Sequence, residues 1–232
     1  MTELRDDRPA EGAAARPDAD VPPRRADRPF RIAVFASGQG SNFQHLADLA
    51  AQGRLGADIA LLVCDKPAAP VVERARRAGV ETFTFRPKDY ASREAYETEI
   101  LELLRARDID LVVLAGYMRL LTKVLVDAYY GRMINIHPSL LPAFPGVNAG
   151  GQALEYGVKV TGVTVHFVDE GLDSGPIIAQ KAVEVRDDDT ESSLMERIHA
   201  AERELLPQAI AWLCAGRIRL DGRKVSVLRD GG

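Results

Sequence analysis

Short apolar runs alternate with helical segments through the first half of this chain, and no other feature limits its fold so strongly. Arg31 to Ala36, Ile59 to Cys64, Val80 to Phe85, Asp110 to Ala115 and Met133 to His137 each read as a buried strand. Between them lie a helical segment reaching about Gly53, a second over Ala68 to Ala78 stopped by Gly79, and a third running from Ser92 to about Arg107. Ser92 is a good N-cap, with a glutamate in the first turn and an arginine in the last, as the helix dipole favours. Strands joined by helices of this length pair in parallel, because a parallel connection has to cross the face of the sheet. The expected class is α/β, with a doubly wound, mostly parallel sheet.

The pattern changes after Gly146. Val160 to Val168 and Ile177 to Val185 read as two strands, and the loop Asp169 to Pro176 between them is short enough for antiparallel pairing. Thr190 then opens a long helix to about Ala215, with a break or kink expected near Pro207. Residues 1–29 are rich in Arg, Asp, Ala and Pro and poor in large apolar side chains. They cannot bury enough surface to offset their ordering entropy, so a disordered tail is expected there. Residues 30–220 read as one domain, and 221–232 as a C-terminal extension.

Several classes of function are excluded on general grounds. A formal net charge of -4 gives no basic surface for nucleic acid or membrane. No apolar run approaches the roughly 18 residues of a membrane helix, and the N-terminus lacks the apolar core of a secretory signal. Cys64 and Cys214 make neither a disulfide framework nor a zinc site. A reduced, cytoplasmic setting follows.

The chemistry gathers at Met133-Ile134-Asn135-Ile136-His137-Pro138. Side chains two apart on a strand share a face, so Asn135 and His137 project together where the strand ends. Open α/β sheets bind their ligands at such carboxyl ends. An amide beside an imidazole can hold a carbonyl oxygen and move a proton, which is chemistry for a carbonyl group. A third group is needed to orient the imidazole, and Asp173, in the turn between the late strands, is the candidate. A carboxylate there favours imidazolium, which together with Asn135 can stabilise an oxyanion. Asp173, through water, can accept the proton of an attacking amine. Earlier in the chain, Ser37-Gly38-Gln39-Gly40-Ser41-Asn42 joins a strand to a helix. Glycines there expose backbone N–H groups at a helix N-terminus, which suits one phosphate. Phe43 stands where the dinucleotide pattern has its third glycine, and no Gly-Lys-Ser/Thr follows, so neither a dinucleotide nor an ATP loop is present. A tight turn with an ordinary cap remains the alternative for this segment.

Four motifs occur in order: Ser37 to Asn42, Gly116-Tyr117-Met118-Arg119-Leu120-Leu121, Asn135-Ile136-His137-Pro138-Ser139-Leu140-Leu141-Pro142, and Asp173-Ser174-Gly175-Pro176. Together the chain resembles the phosphoribosylglycinamide formyltransferase (glycinamide ribonucleotide transformylase) family, folate-dependent enzymes of purine synthesis, over about residues 30–220. The resemblance implies the formyltransferase fold with a Rossmann-like N-terminal half. It implies transfer of formyl from 10-formyltetrahydrofolate, as co-substrate, to the amine of glycinamide ribonucleotide, by direct attack and without a metal. Asn135, His137 and Asp173 match the family's catalytic trio. Gly40, Ser41 and Asn42 match its ribonucleotide-phosphate loop, and Glu202, in Ala201-Glu202-Arg203, a residue near the ribonucleotide. Arg93, in Ser92-Arg93-Glu94, matches a folate contact. Met118, Arg119, Leu120 and Leu121 match one wall of the folate pocket, and Asp169, Glu170, Gly171, Leu172 and Asp173 the other, with Asn135 also facing the folate. Simple core packing is an equally good account of Leu120 and Leu121. His166, within Val163-Thr164-Val165-His166-Phe167, is expected to support these groups rather than to transfer protons. His199 and Asn148 depart from residues found in some relatives. The implied partners are small-molecule substrates, without nucleic acid or membrane, and the expected assembly is a homodimer.

Three other readings compete. Formyltetrahydrofolate deformylase, a hydrolase, carries a regulatory domain that residues 1–29 are too short and too polar to form. Methionyl-tRNA formyltransferase needs an RNA-binding domain after the last helix, and the acidic balance disfavours tRNA. A non-catalytic phosphate sensor has no use for the trio of Asn135, His137 and Asp173.

Overall fold

The computed structural model describes residues 28–228. The expectation of a disordered tail falls on residues that lie outside it, apart from Arg28 and Pro29. Arg28 grips Asp110 with both terminal nitrogens at 2.7 Å, which ties the start of the described chain to the sheet.

In chain order the elements are β1 (Arg31–Phe35), α1 (Ser41–Ala51), β2 (Asp58–Cys64), α2 (Pro70–Arg77), β3 (Thr82–Thr84), α3 (Arg93–Ala106), β4 (Leu111–Leu114), α4 (Lys123–Ala128), β5 (Met133–His137), α5 (Ala149–Tyr156), β6 (Val160–Phe167), β7 (Ile177–Glu184), α6 (Glu191–Cys214), β8 (Ile218–Asp221) and β9 (Lys224–Val227). Seven strands form one sheet in the order β3-β2-β1-β4-β5-β6-β7, and β8 and β9 form a separate hairpin. β1 pairs in parallel with β2 and β4, β2 with β3, and β4 with β5. β6 runs antiparallel to both β5 and β7. The mostly parallel α/β architecture is therefore as the sequence indicates.

β1 shows how the sheet serves two cores. Ile32 and Val34 enter one cluster with Phe43 and Leu46 of α1, Val71 of α2 and Leu194 and Ile198 of α6. Ala33 and Phe35 enter the other, with Tyr96, Ile100 and Leu104 of α3 and Leu125 of α4. Alternation along one strand thus feeds both faces, which is why β1 is apolar from Ile32 to Phe35.

α6 begins with a capping box. Thr190 Oγ1 accepts from Ser193 N at 3.2 Å, and Ser193 Oγ accepts from Thr190 N at 3.0 Å. The helix runs on through Pro207 as one element, so of the break or kink expected there the break does not occur. Leu205, Leu206, Ala209 and Ile210 are buried on both sides of it. Their burial offsets the backbone hydrogen bond that proline forfeits, a loss of about 3 kcal/mol in an unsupported helix. The hairpin β8–β9 was not anticipated. It buries Ile218 and Leu220 against the first core.

The chain runs outward from β1 to β2 and β3, then returns to place β4 on the other side of β1. The strand order reverses there, and the loops after β1 and β4 diverge to leave a crevice.

Candidate active site

A cavity of about 750 Å³ occupies that crevice and extends along β5. Its lining takes in the loop after β1, the segment after β4, the end of β5, the loop after β6 and three residues of α6. The volume suits a small organic substrate together with part of a second.

The glycine loop forms one edge. Gly40 is the N-cap of α1 with φ +73°, and a Cβ there would lie 2.4 Å from Val71 Cγ2. Left-handed backbone and lack of room together require glycine. No side chain caps α1, and its first turn holds no acidic residue. The opening N–H groups of the helix thus have no side-chain cap among the described residues, an arrangement that suits an anion. Ser41 and Asn42 line the cavity beside Gly40. Asn42 Nδ2 donates to Glu202 Oε2 at 3.0 Å, tying α1 to α6. Glu202 is only 5% exposed. Burial pushes its carboxyl pKa up, opposed by the Asn42 hydrogen bond and by the nearby His199, Arg203 and His137. His199 and Asn148 also line the cavity.

The end of β5 carries the candidate catalytic groups. Asn135 and His137 share a face, as period-two geometry requires, and both line the cavity. His137 is buried; its Nε2 lies 2.8 Å from the Phe144 carbonyl oxygen and its Nδ1 lies 3.4 Å from Asp173 Oδ2. A carbonyl only accepts, so Nε2 carries the proton that donates to Phe144. Asn135 Nδ2 donates to Asp173 Oδ1 at 3.4 Å and meets His166 Nε2 at 3.1 Å. The sequence could not show that Asp173 meets His137 and Asn135; the structure brings the three together.

His166 stands directly opposite Asn135 in the β5–β6 register. Its Nδ1 lies 2.8 Å from the Phe167 carbonyl oxygen, so Nδ1 carries the proton and Nε2 accepts from Asn135. Burial pushes the pKa of His166 down, against the pull of that backbone hydrogen bond and of Asp173. A neutral His166 therefore holds the Asn135 amide in place.

Asp173 reaches the site on a tight return loop. Gly175 lies so close to the Phe167 carbonyl that a Cβ would sit 1.8 Å from its oxygen. Asp173 itself adopts φ +50°, a conformation Asp tolerates better than most residues. Gly146 N donates to Asp173 Oδ2 at 2.7 Å, and Arg223 of the β8–β9 turn donates to Ser174 O at 2.8 Å. Phe144 and Asn148 are left-handed as well. Backbone strain thus collects around this carboxylate, as it commonly does at functional sites.

The segment after β4 forms the remaining edge. Met118 is 64% and Leu120 53% exposed, and across the cavity Leu172 is 54% exposed. Side chains this open are not core. The packing alternative therefore fails for Leu120, whereas Leu121 does pack against the second core. Lys123 and Glu170 join the two walls by an ion pair of 3.5 Å. Asp169, Glu170, Gly171 and Arg119 also line the cavity. Arg93 does not. It is exposed at the start of α3, close enough to act on the Tyr96 hydroxyl as Arg119 does. Phe144 and Gly146 were missed because they act through their backbones, which carry no residue-type signal. Among the described residues no cluster of three or more His, Cys, Asp and Glu side chains is placed to hold a metal ion.

A strand-end amide and imidazole, a carboxylate beside both, and a bare helix N-terminus in one cavity define an acyl-transfer site on a nucleotide-type sheet. The family described as "Formyl transferase" matches residues 30–210, and the chain belongs to it. The chain is 52% identical over 183 residues to the phosphoribosylglycinamide formyltransferase of Bacillus subtilis (strain 168), covering 79% of this chain and 94% of that one. The crystal structure of glycinamide ribonucleotide transformylase 1 from Symbiobacterium toebii superposes with a TM-score of 0.84 at 48% identity, over 86% of this chain and 94% of that one. The trifunctional purine biosynthetic protein adenosine-3 of Homo sapiens is 44% identical over 190 residues, which are 82% of this chain and 19% of that protein.

Proposed function

We propose that this enzyme transfers the formyl group of 10-formyltetrahydrofolate to the amine of 5'-phosphoribosylglycinamide. The observation that carries the reading is the contact of His137 with Asp173, beside Asn135, in the cavity that also holds the uncapped N-terminus of α1. The ribonucleotide phosphate takes the N–H groups at Gly40, Ser41 and Asn42, with Glu202 nearby. The folate lies along Met118 to Leu121 and the loop Asp169 to Asp173, whose open apolar side chains suit a flat ring.

The amine nitrogen attacks the formyl carbon, and the carbonyl π pair moves onto oxygen. Nε2–H is committed to the Phe144 carbonyl, so His137 meets the developing oxyanion through Nδ1, on the Asp173 side, where a proton makes it the first donor. Asn135 supplies the second donor. Its 3.4 Å contact with Asp173 is long, so that N–H passes to the oxyanion at little cost. The attacking nitrogen loses its proton through water to Asp173. The oxyanion pair then returns to re-form the carbonyl, the bond from the formyl carbon to folate N10 breaks with its electron pair going to N10, and N10 takes up, through water, the proton that Asp173 gained. No step needs a covalent enzyme intermediate or a metal. The same reading sets the enzyme in the cytoplasm, as a homodimer acting on small molecules.

The test supplies purified protein with 10-formyltetrahydrofolate, with and without the ribonucleotide. Turnover is expected only with it; deformylation at the same rate without it would make the protein a hydrolase, and no turnover would favour a sensor. His137→Ala should lower turnover by roughly 10²–10⁴-fold and leave ribonucleotide binding largely intact. Near-normal turnover of that variant would refute the role given to His137.

A further inference from the structure

Asp65 lies outside every motif discussed so far. It follows β2 directly, and its side chain is 0% exposed. Oδ2 accepts from Arg119 Nε at 2.8 Å. Oδ1 is buried without a hydrogen-bond partner among the described residues, as are the hydroxyls of Tyr96 and Tyr117 nearby. Taking a carboxylate out of water is costly, and a single ion pair seldom repays that cost against an apolar residue of similar size. Stability alone therefore gives no reason for Asp65.

Arg119 supplies one. It lines the cavity, its side chain is 40% exposed, and Nε makes its single hydrogen bond to the described residues. The two terminal nitrogens remain open. Both flanks of this segment are fixed from beneath as well. Met118 N donates to the buried Ser37 Oγ at 3.0 Å. Thr122 N donates to both oxygens of the buried Glu97 at 3.0 Å, and Thr122 Oγ1 donates to Glu97 Oε2 at 2.6 Å. With the backbone anchored on either side, Asp65 has one degree of freedom left to settle, the direction of the Arg119 guanidinium.

We propose that Asp65 is a positioning residue for the folate side of the cavity, holding Arg119 by Nε so that its terminal nitrogens stay available to acceptor oxygens of the bound folate. A long arginine side chain loses much rotamer freedom when it grips a ligand, and Asp65 has removed that freedom beforehand. The inference rests on the folate reading above. It is measured by binding as well as by turnover, so the two can fail separately.

Asp65→Asn keeps the shape and an acceptor oxygen but removes the charge, and Arg119→Ala removes the group being positioned. Tetrahydrofolate binding by calorimetry and the KM for 10-formyltetrahydrofolate are read for both variants and for the double variant. Asp65→Asn should weaken both by about five- to tenfold, with kcat within about twofold and the ribonucleotide KM unchanged. The double variant should bind no worse than Arg119→Ala alone, because Asp65 acts only through Arg119. Unchanged folate affinity in Asp65→Asn, with or without a lower Tm, would overturn the proposal; so would losses that multiply in the double variant. An absence of turnover in the parent protein would remove the proposed reaction and leave the tetrahydrofolate comparison to decide on Asp65.

Discussion

The two edges of the cavity are built by opposite means. The glycine-loop edge is backbone: uncapped N–H groups of α1, held open by a left-handed Gly40 wedged against Val71. The edge after β4 is side chain: exposed Met118 and Leu120, with Arg119 propped by Asp65 and the following turn by Glu97. A backbone site has nothing to adjust, so it is either correct or lost. A side-chain wall tolerates change in steps, because each residue contributes a share of the contact area. The first design suits a group of fixed shape such as phosphate, the second a large flat molecule.

Substitutions on each edge can break that contrast. Gly40→Ala should have the largest effect. It forces a methyl group into Val71 and a left-handed alanine, at roughly 2–4 kcal/mol of stability. Ribonucleotide affinity should drop by an order of magnitude or more in calorimetry while tetrahydrofolate binding holds; equal loss of both ligands would show that the edges are not independent. Leu120→Ala comes next. Its exposure leaves stability within about 0.5 kcal/mol, yet the KM for formyl-folate should rise roughly three- to tenfold. A lower Tm with an unchanged KM would return Leu120 to core packing.

The smallest effect concerns Glu202, which backs the glycine-loop edge through Asn42. Its folded pKa lies above the ordinary 4.5. As pH rises past that value the unfolded chain gives up the proton while the folded protein keeps it, so stability falls until the folded carboxyl ionises too. Glu202→Gln should flatten that fall. Thermal melts from about pH 4 to about pH 7 should show the gap in Tm between variant and parent shift by roughly 2–4 °C in the variant's favour. Parallel curves would mean that Glu202 ionises as freely folded as unfolded.

The same contrast governs what the sequence reveals. β1, β2 and β4 are legible because two buried faces demand nearly continuous apolar runs. The pairing of Asn135 with His137 on one face is legible because strand period is fixed. The glycine loop is legible because only glycine solves its geometry. Asp65 and Glu97 are not. A carboxylate at the end of a strand or on a helix looks solvated until its tertiary partner is known. α5 was hidden by Gly150 and Gly151, which count against helix in any local reading. The β8–β9 hairpin did leave a signal, since Ile218 and Leu220 alternate with Arg219 and Asp221 before the turn pair Asp221-Gly222. For Arg93 the sequence offers only a motif position, which by itself does not say whether the side chain reaches a bound folate.

The bond between Asn42 and Glu202 joins residues at opposite ends of the domain. During synthesis the glycine loop and the β5 pair emerge early, but the Glu202 side of the pocket exists only after α6 has left the ribosome. On the proposed reading, the seat for the ribonucleotide is therefore not complete until the final helix has been made. A chain released before α6 is made would carry Asn135, His137 and Asp173 and still lack the Glu202 wall of the cavity.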